Sequence, residues 1–204
     1  MGDEAAYRAP VTLAGEHVRL EPLALQHTPA LFEASRDEEI WRYLVEQPKG
    51  VADMRALVDE ALEAQSRGVE LPFAVVHLAS GRVVGSTRLL DLTPADRKLE
   101  IGWTWYARDQ WHTAVNTECK YLLLRHAFES LGCIRVLLKT DLRNERSQRA
   151  IERIGGVREG VLRRDRIVKN GYQRSSVYYS ILDDEWPRVK TRLEAMLRTR
   201  SAIT

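Results

Sequence analysis

Apolar residues recur along the 204-residue chain in two rhythms, one of period two and one of period 3.6, and the switches between them mark its elements. His17-Val18-Arg19-Leu20-Glu21-Pro22 alternates apolar and polar positions and stops at a proline, as an opening strand should. Leu25, Leu31, Phe32 and Ala34 give helical spacing from Leu25 to Ser35, with Pro29 delaying the true start. A short aromatic cluster of Trp41, Tyr43 and Leu44 closes at Pro48 and Gly50. A second helix follows from Val51 to Arg67, with Met54, Leu57, Val58, Ala61 and Leu62 on one stripe and Gly68 as its cap.

Strands dominate the middle of the chain. Phe73 to Leu78 and Arg82 to Gly85 read as a hairpin around Ala79-Ser80-Gly81, with Gly85 marking a bulge and the second strand continuing towards Leu92. Thr93 to Asp96 then turns into a third strand, Glu100 to Tyr106, so an antiparallel meander precedes the long helix that carries Val115, Cys119, Leu122, Leu123 and Ala127. Ile134 to Leu138 is the next strand. Asn144 caps a short helix that ends at Gly155-Gly156. Val157 to Ile167 and Tyr172 to Leu182 form the last hairpin around Lys169-Asn170-Gly171, and an amphipathic helix from Asp184 to Leu197 closes the chain. Trp186, Val189, Leu193 and Met196 form its inward stripe.

This succession predicts an α/β (α+β) protein with a mixed, mostly antiparallel sheet, folded as a single domain over residues 1–204. Residues 1–12 are expected to be a flexible arm and 198–204 a flexible tail. Composition agrees: 44% hydrophobic and 29% charged residues suit a soluble globular chain. No apolar run spans a bilayer, and the acidic start lacks a secretory leader, so a cytoplasmic protein is expected. Cys119 and Cys133 read as buried free thiols, and five scattered His residues offer no ligand-like spacing, so no metal is expected.

The net charge of +2 excludes little, but its distribution is informative. Arg143, Arg146, Arg149, Arg153, Arg158, Arg163, Arg164 and Arg166 crowd one segment, interleaved with Glu145, Glu152 and Glu159. That is either a solvated face or an anion site for a phosphorylated cofactor or RNA. With no basic tail and no stacked-aromatic surface, a small phosphorylated ligand fits better than nucleic acid. The strand–turn–helix across Gln110 to Val115 points main-chain N–H groups at one place, a ready site for a pyrophosphate.

The order of elements, with Arg19-Leu20-Glu21-Pro22-Leu23, Glu100-Ile101-Gly102-Trp103, Asn144 to Ile151, Arg158 to Arg163 and Val177 to Leu182, resembles the GNAT superfamily of acyl-CoA-dependent N-acyltransferases. Within it the chain looks like the RimJ/RimL-like branch, which acetylates ribosomal-protein N-termini. The resemblance implies a twisted sheet of about seven strands, helices on both faces and a central strand pair that splays to admit the pantetheine arm of acetyl-CoA or another acyl-CoA. Trp103, Thr104 and Trp105 would present main-chain groups to that arm, one of them polarising the thioester carbonyl. The pyrophosphate would lie at Trp111-His112-Thr113-Ala114-Val115-Asn116. Here the chain departs from the family, with Ala114 and Asn116 where small glycine-like residues belong. Either Thr113, Asn116 and Thr117 help to bind by their side chains, or CoA binding is weakened and the chain is an acyl-CoA-binding module.

The same resemblance gives Asn144 a bond to the pantetheine arm and Ser147 a place near the sulfur or the phosphates, with a role as general acid for the departing thiolate. Glu100 is the expected general base, with a surface salt bridge to Arg97 or Lys98 as its competing role; alternation places it on the face of Gly102 and Thr104. Tyr178 or Tyr179 would be an alternative acid. The partner is an amine-bearing acceptor, a small molecule or a protein N-terminus, and a homodimer is compatible. Arginines near the pocket would also admit a carboxylated acyl chain such as succinyl.

Overall fold

The computed structural model describes residues 4–44, 47–168 and 171–201. Its strands are β1 (Leu13–Ala14), β2 (Val18–Pro22), β3 (Leu71–His77), β4 (Val83–Thr93), β5 (Lys98–Tyr106), β6 (Arg135–Asp141), β7 (Val157–Ile167) and β8 (Gln173–Leu182). Its helices are α1 (Glu4–Arg8), α2 (Thr28–Ala34), α3 (Val51–Ser66), α4 (Val115–Arg125), α5 (Glu145–Arg153) and α6 (Trp186–Ser201). The strands form one sheet in the order β1-β2-β3-β4-β5-β6-β8-β7. Neighbours are antiparallel, except that β5 and β6 run parallel.

A helical layer covers each face of the sheet. On β3, Leu71, Phe73 and Val75 point into a core shared with α1, α4, α5 and α6, while Ala74 points into a second core with α2 and α3. Period-two alternation therefore serves two apolar layers, which is why β3 reads as a continuous hydrophobic run.

The expected elements are present with shifted ends. The opening helix splits into a 3-10 turn over Leu25–His27 and α2, with Pro29 in the first turn, where its missing N–H costs nothing. The bulge expected at Gly85 is there: Val75 pairs with Gly85 and Val76 with Val83, leaving Val84 as the extra residue. The sheet has eight strands rather than seven, because Leu13 and Ala14 add a short pair to β2. Within the stretch expected to be a flexible arm, residues 4–8 form α1. Tyr7, on α1, is fully buried, and its hydroxyl lies 3.1 Å from Cys133 Sγ. α6 starts at Trp186 rather than Asp184 and runs to Ser201, so 198–201 are helical. The turn residues Lys169 and Asn170 lie outside the described residues.

α4 is buried almost all round although it carries three charged or polar side chains on its buried surface, Thr117, Glu118 and Lys120. Glu118 ties it to the β1–β2 turn: its carboxylate accepts main-chain N–H bonds from Glu16 (2.9 Å), His17 (2.7 Å) and Val18 (2.7 Å). Gly15 makes room for it, since a Cβ there would lie 2.3 Å from the Glu118 carboxyl carbon. Charge-assisted bonds to buried N–H groups are worth about 1.5–3 kcal/mol each, and losing the acceptor strands its donors. Glu118→Ala is expected to lower stability by about 3 kcal/mol in urea unfolding, and Glu118→Gln by less, because one of its two acceptor oxygens remains.

Candidate active site

β5 and β6 pair over three positions only, Lys98 with Arg135, Leu99 with Val136 and Glu100 with Leu137. Beyond Glu100 they part. On the other side of β5, Ser86 pairs with Trp105 and Arg88 with Gly102, so Trp103 and Thr104 together oppose Thr87. This is a β-bulge, and such an insertion bends and twists its strand. Trp103 adopts φ 49°, a left-handed conformation that is unfavourable for a bulky side chain. The Arg88 guanidinium lies over the Trp103 ring at 4.5 Å and is itself paired with Glu70 at 3.0 Å, which clamps the bulge in place.

The gap is a crevice of about 710 Å³. One wall is β5 from Glu100 onward. The other is Leu138 to Asp141 of β6 with Asn144, Ser147, Ala150 and Ile151, and the Trp111–Asn116 turn closes one end. Along the parted stretch the main-chain groups of β5 that would face β6 have no ladder partner there, so an extended, amide-bearing chain can pair with them. At the turn, Trp111 donates its indole N–H to Tyr106 O (3.0 Å) and is sandwiched by Arg108 at 4.0 Å and Arg146 at 3.4 Å. Arg146, Arg149 and Arg153 line the crevice beside the N-terminus of α4. Cations and a helix N-terminus together suit a pyrophosphate.

Where the strands part stands Glu100, 2% exposed, with Oε2 at 2.7 Å from Lys139 Nζ. Burial pushes its carboxyl above the usual range, and Lys139 pulls it partly back. Gly102 is required beside it, because a Cβ there would sit 2.8 Å from Glu100 Oε1 and 2.6 Å from Leu90 Cδ1.

The description "Acetyltransferase (GNAT) domain" fits the chain over residues 17–157. The chain belongs to the GNAT acetyltransferase family. It is 32% identical over 149 residues to the "Putative ribosomal N-acetyltransferase YdaF" of Bacillus subtilis, covering 72% of this chain and 78% of that one. Among solved structures, a GCN5-related N-acetyltransferase from Brucella melitensis superposes with a TM-score of 0.87 at 34% identity, over 93% and 86% of the two chains. The Mycobacterium smegmatis RimJ in complex with CoA-disulfide shares the fold, with a TM-score of 0.78 at 22% identity over 93% and 96%. These likenesses make the protein an acyl-CoA-dependent acetyltransferase of the GNAT family.

Of the residues expected to serve a GNAT site, Glu100, Trp103, Thr104, Trp105, Trp111, His112, Thr113, Asn116, Asn144 and Ser147 all border the one crevice. Asn144 Oδ1 accepts the Ser147 main-chain N–H at 3.0 Å, so it caps α5 and lines the crevice at once. The turn takes its left-handed residue at His112, φ 65°, rather than at a glycine. Four expectations change. Thr117 is fully buried outside the crevice wall, and Ala114 is also outside it, because α4 turns these positions away. Tyr178 does not border the crevice; its hydroxyl donates to Asp165 Oδ1 at 3.4 Å, while that of the buried Tyr179 donates to Glu152 at 3.0 Å. The competing partners of Glu100 are engaged elsewhere, Lys98 with Asp96 and Arg97 with Gly132 O. The bulge also flips the alternation. Thr104 faces α4, bonding Lys120 Nζ and Thr87 Oγ1 (each 2.8 Å), away from the face of Glu100 and Gly102.

Two lysines were not anticipated. Lys139 lies two residues past Leu137, the partner of Glu100, so strict period-two reading of β6 would have placed it on the carboxylate's face. Lys120 gave no signal, since a lysine on a helix reads as solvated. It is 6% exposed, and burial pulls its ammonium down to about 8 from 10.5. Among the described residues no cluster of metal-ligating side chains occurs, and no helix is long and apolar enough to cross a membrane.

The Lys120 shift fixes a sign. Below pH 8 the ammonium is charged in both states and the fold bears the desolvation cost. Between about 8 and 10.5 the folded protein releases the proton that the unfolded chain keeps, so stability from this group rises with pH. Lys120→Met is therefore expected to be more stable than the parent at pH 7, by roughly 1–3 kcal/mol, with the advantage fading by pH 10.5 in paired urea titrations. An advantage independent of pH would contradict a depressed Lys120.

Proposed function

We propose that the protein transfers an acyl group from acyl-CoA to a primary amine by direct attack in a ternary complex, with Glu100 as general base. The observation that carries the reading is a buried carboxylate with a raised proton affinity at the apex of two parted strands, opening onto the same crevice as Asn144 and Ser147. Acyl-CoA, when bound, supplies the thioester whose carbonyl carbon the amine attacks, forming the C–N bond as the C–S bond breaks. The open main-chain groups of Ile101 to Trp105 hold the pantetheine amides, and one N–H at the bulge polarises the carbonyl. Arg146 and Arg149, with the first turn of α4, hold the pyrophosphate in place of a glycine-rich loop. In this reading charge substitutes for close backbone approach at the turn.

Glu100 takes the proton from the incoming ammonium, directly or through a water, and Lys139 keeps enough of the carboxyl ionised for it to do so near neutral pH. Ser147, on the facing wall, gives a proton to the departing thiolate and regains one from solvent at the crevice mouth. Tyr178, engaged with Asp165, has no part in this scheme. The name of YdaF makes ribosomal-protein N-terminal peptides the first acceptors to try.

Thiol release from acetyl-CoA should be followed against such peptides and small amines, with calorimetry of CoA binding alongside. Absence of both heat and thiol would overturn the reading. Glu100→Gln should lower kcat by about 10²–10⁴-fold with little change in the KM for acetyl-CoA. Because the Glu100 carboxyl titrates above its usual value, kcat/KM should fall as pH drops through that raised pKa, and Lys139→Met should move this acid limb to higher pH. An acid limb indifferent to both substitutions would remove Glu100 from the base role.

A further inference from the structure

β7 and β8 set Arg166 directly opposite Arg174 in their antiparallel ladder, and both side chains border the crevice. Opposed side chains on one face stand about 5 Å apart at Cβ, and like charges there repel. The local chain goes out of its way to make this pair. Between Leu162 and Arg166 the register slips, and Arg164 takes φ 52°, a strained bulge of the kind that re-aims side chains.

Asp141, Asp165 and Glu100 offset the repulsion at Arg174 only in part, and two of these carboxylates are held by other cations. Glu100 is matched by Lys139 at 2.7 Å, Asp141 by Arg143 at 3.0 Å and Glu70 by Arg88 at 3.0 Å. Arg166 has only a loose approach of its Nε to Asp165 Oδ2, at 3.8 Å. Arg174 spends its Nε on Ser176 Oγ at 3.1 Å and has no ion-pair partner of its own among the described residues. Burial and Arg166 both push its guanidinium below the usual value. Two opposed arginines facing a cavity, Arg174 partly buried and Arg166 more exposed, with donor forks uncommitted, form an arrangement that a planar anion completes.

We propose that Arg166 and Arg174 form a carboxylate-binding clamp in the Glu100 half of the crevice, selecting a substrate that carries a carboxylate close to its reacting centre. As a substrate assignment this rests on the acyl-transfer reading above. The carboxylate belongs either to the acyl chain, as in succinyl-CoA, or to an acidic side chain beside the acceptor amine, and the two sources are separable by kinetics.

The test has a binding arm and a turnover arm. Succinate, with succinamide as its uncharged match, is titrated against the full chain by thermal shift and calorimetry. Succinate should bind and raise Tm where succinamide does not, and Arg174→Gln or Arg166→Gln should weaken that binding at least tenfold. Equal responses to the two compounds, or succinate binding that survives both substitutions, would overturn the clamp whether or not any turnover is found. In the turnover arm, succinyl-CoA is compared with acetyl-CoA on a neutral amine, and acetyl-CoA is compared on peptides whose second residue is Glu or Gln. One charged substrate should exceed its neutral match in kcat/KM by tenfold or more, and that ratio should collapse in Arg174→Gln. Ratios near one in both comparisons would sink the substrate assignment, while thiol release from the neutral pairs would leave the acyl-transfer reading standing. Circular dichroism on both variants, and Arg174→Lys as a charge-retaining control without the fork, separate loss of the clamp from loss of fold.

Discussion

Everything distinctive about this molecule depends on two strands being hydrogen-bonded for three residue pairs and then not. A parallel pair that continued to Tyr106 and Asp141 would be an ordinary sheet interior with no crevice, and its main-chain groups would be satisfied by each other. The bulge at Trp103 and Thr104 prevents that by adding residues to β5 on its β4 side. Its cost is a tryptophan in the left-handed region, and the compensation is visible: the Glu70–Arg88 ion pair carries a guanidinium onto the indole face. Unpaired main-chain groups along a strand persist only if something else pairs with them. In the function proposed above, the extended, amide-bearing arm of acyl-CoA meets that requirement.

The same divergence decides the chemistry at its apex. Glu100 occupies the last position at which β5 pairs with β6, where the sheet still excludes water but the crevice has begun. Burial raises the proton affinity of its carboxyl, and the Lys139 ammonium, one alternation beyond the last β6 partner, limits the rise. A carboxylate tuned by those opposing effects holds a proton more tightly than a surface glutamate yet remains available as an acceptor, which suits it to the base role proposed for it. Position in the ladder, more than residue type, makes Glu100 different from the exposed carboxylates of the chain.

α4 joins fold to site by being polar where it is buried. Glu118 anchors one side of it to the β1–β2 turn, and Lys120 reaches the crevice from the other through Thr104. Its N-terminal approach is braced by Trp111 between Arg108 and Arg146, so the turn is held by stacking rather than shaped by glycine. A family member that carries Ala114 and Asn116 in place of glycine can thus still offer a compact, cationic turn.

Periodicity, turn residues and caps in the sequence were sufficient to place nearly every element, because those signals are local: alternation in β2, the apolar run of β3, the Gly68 and Gly155 ends, and the Asn144 cap are each set by a few neighbouring residues. Motif order identified the family, and it brought most of the crevice residues together by number. What the sequence did not carry were the relations between distant positions. Glu100 finding Lys139, Tyr7 reaching Cys133, Glu118 holding the β1–β2 turn and Arg166 meeting Arg174 all depend on register and on strand order. The face of Thr104 was misread for the same kind of reason: a two-residue bulge inverts alternation, and nothing in Gly102-Trp103-Thr104-Trp105 announces it. Local backbone preference determined the elements of this protein; only the tertiary structure, through one bulge and one truncated ladder, decided which side chains share a cavity.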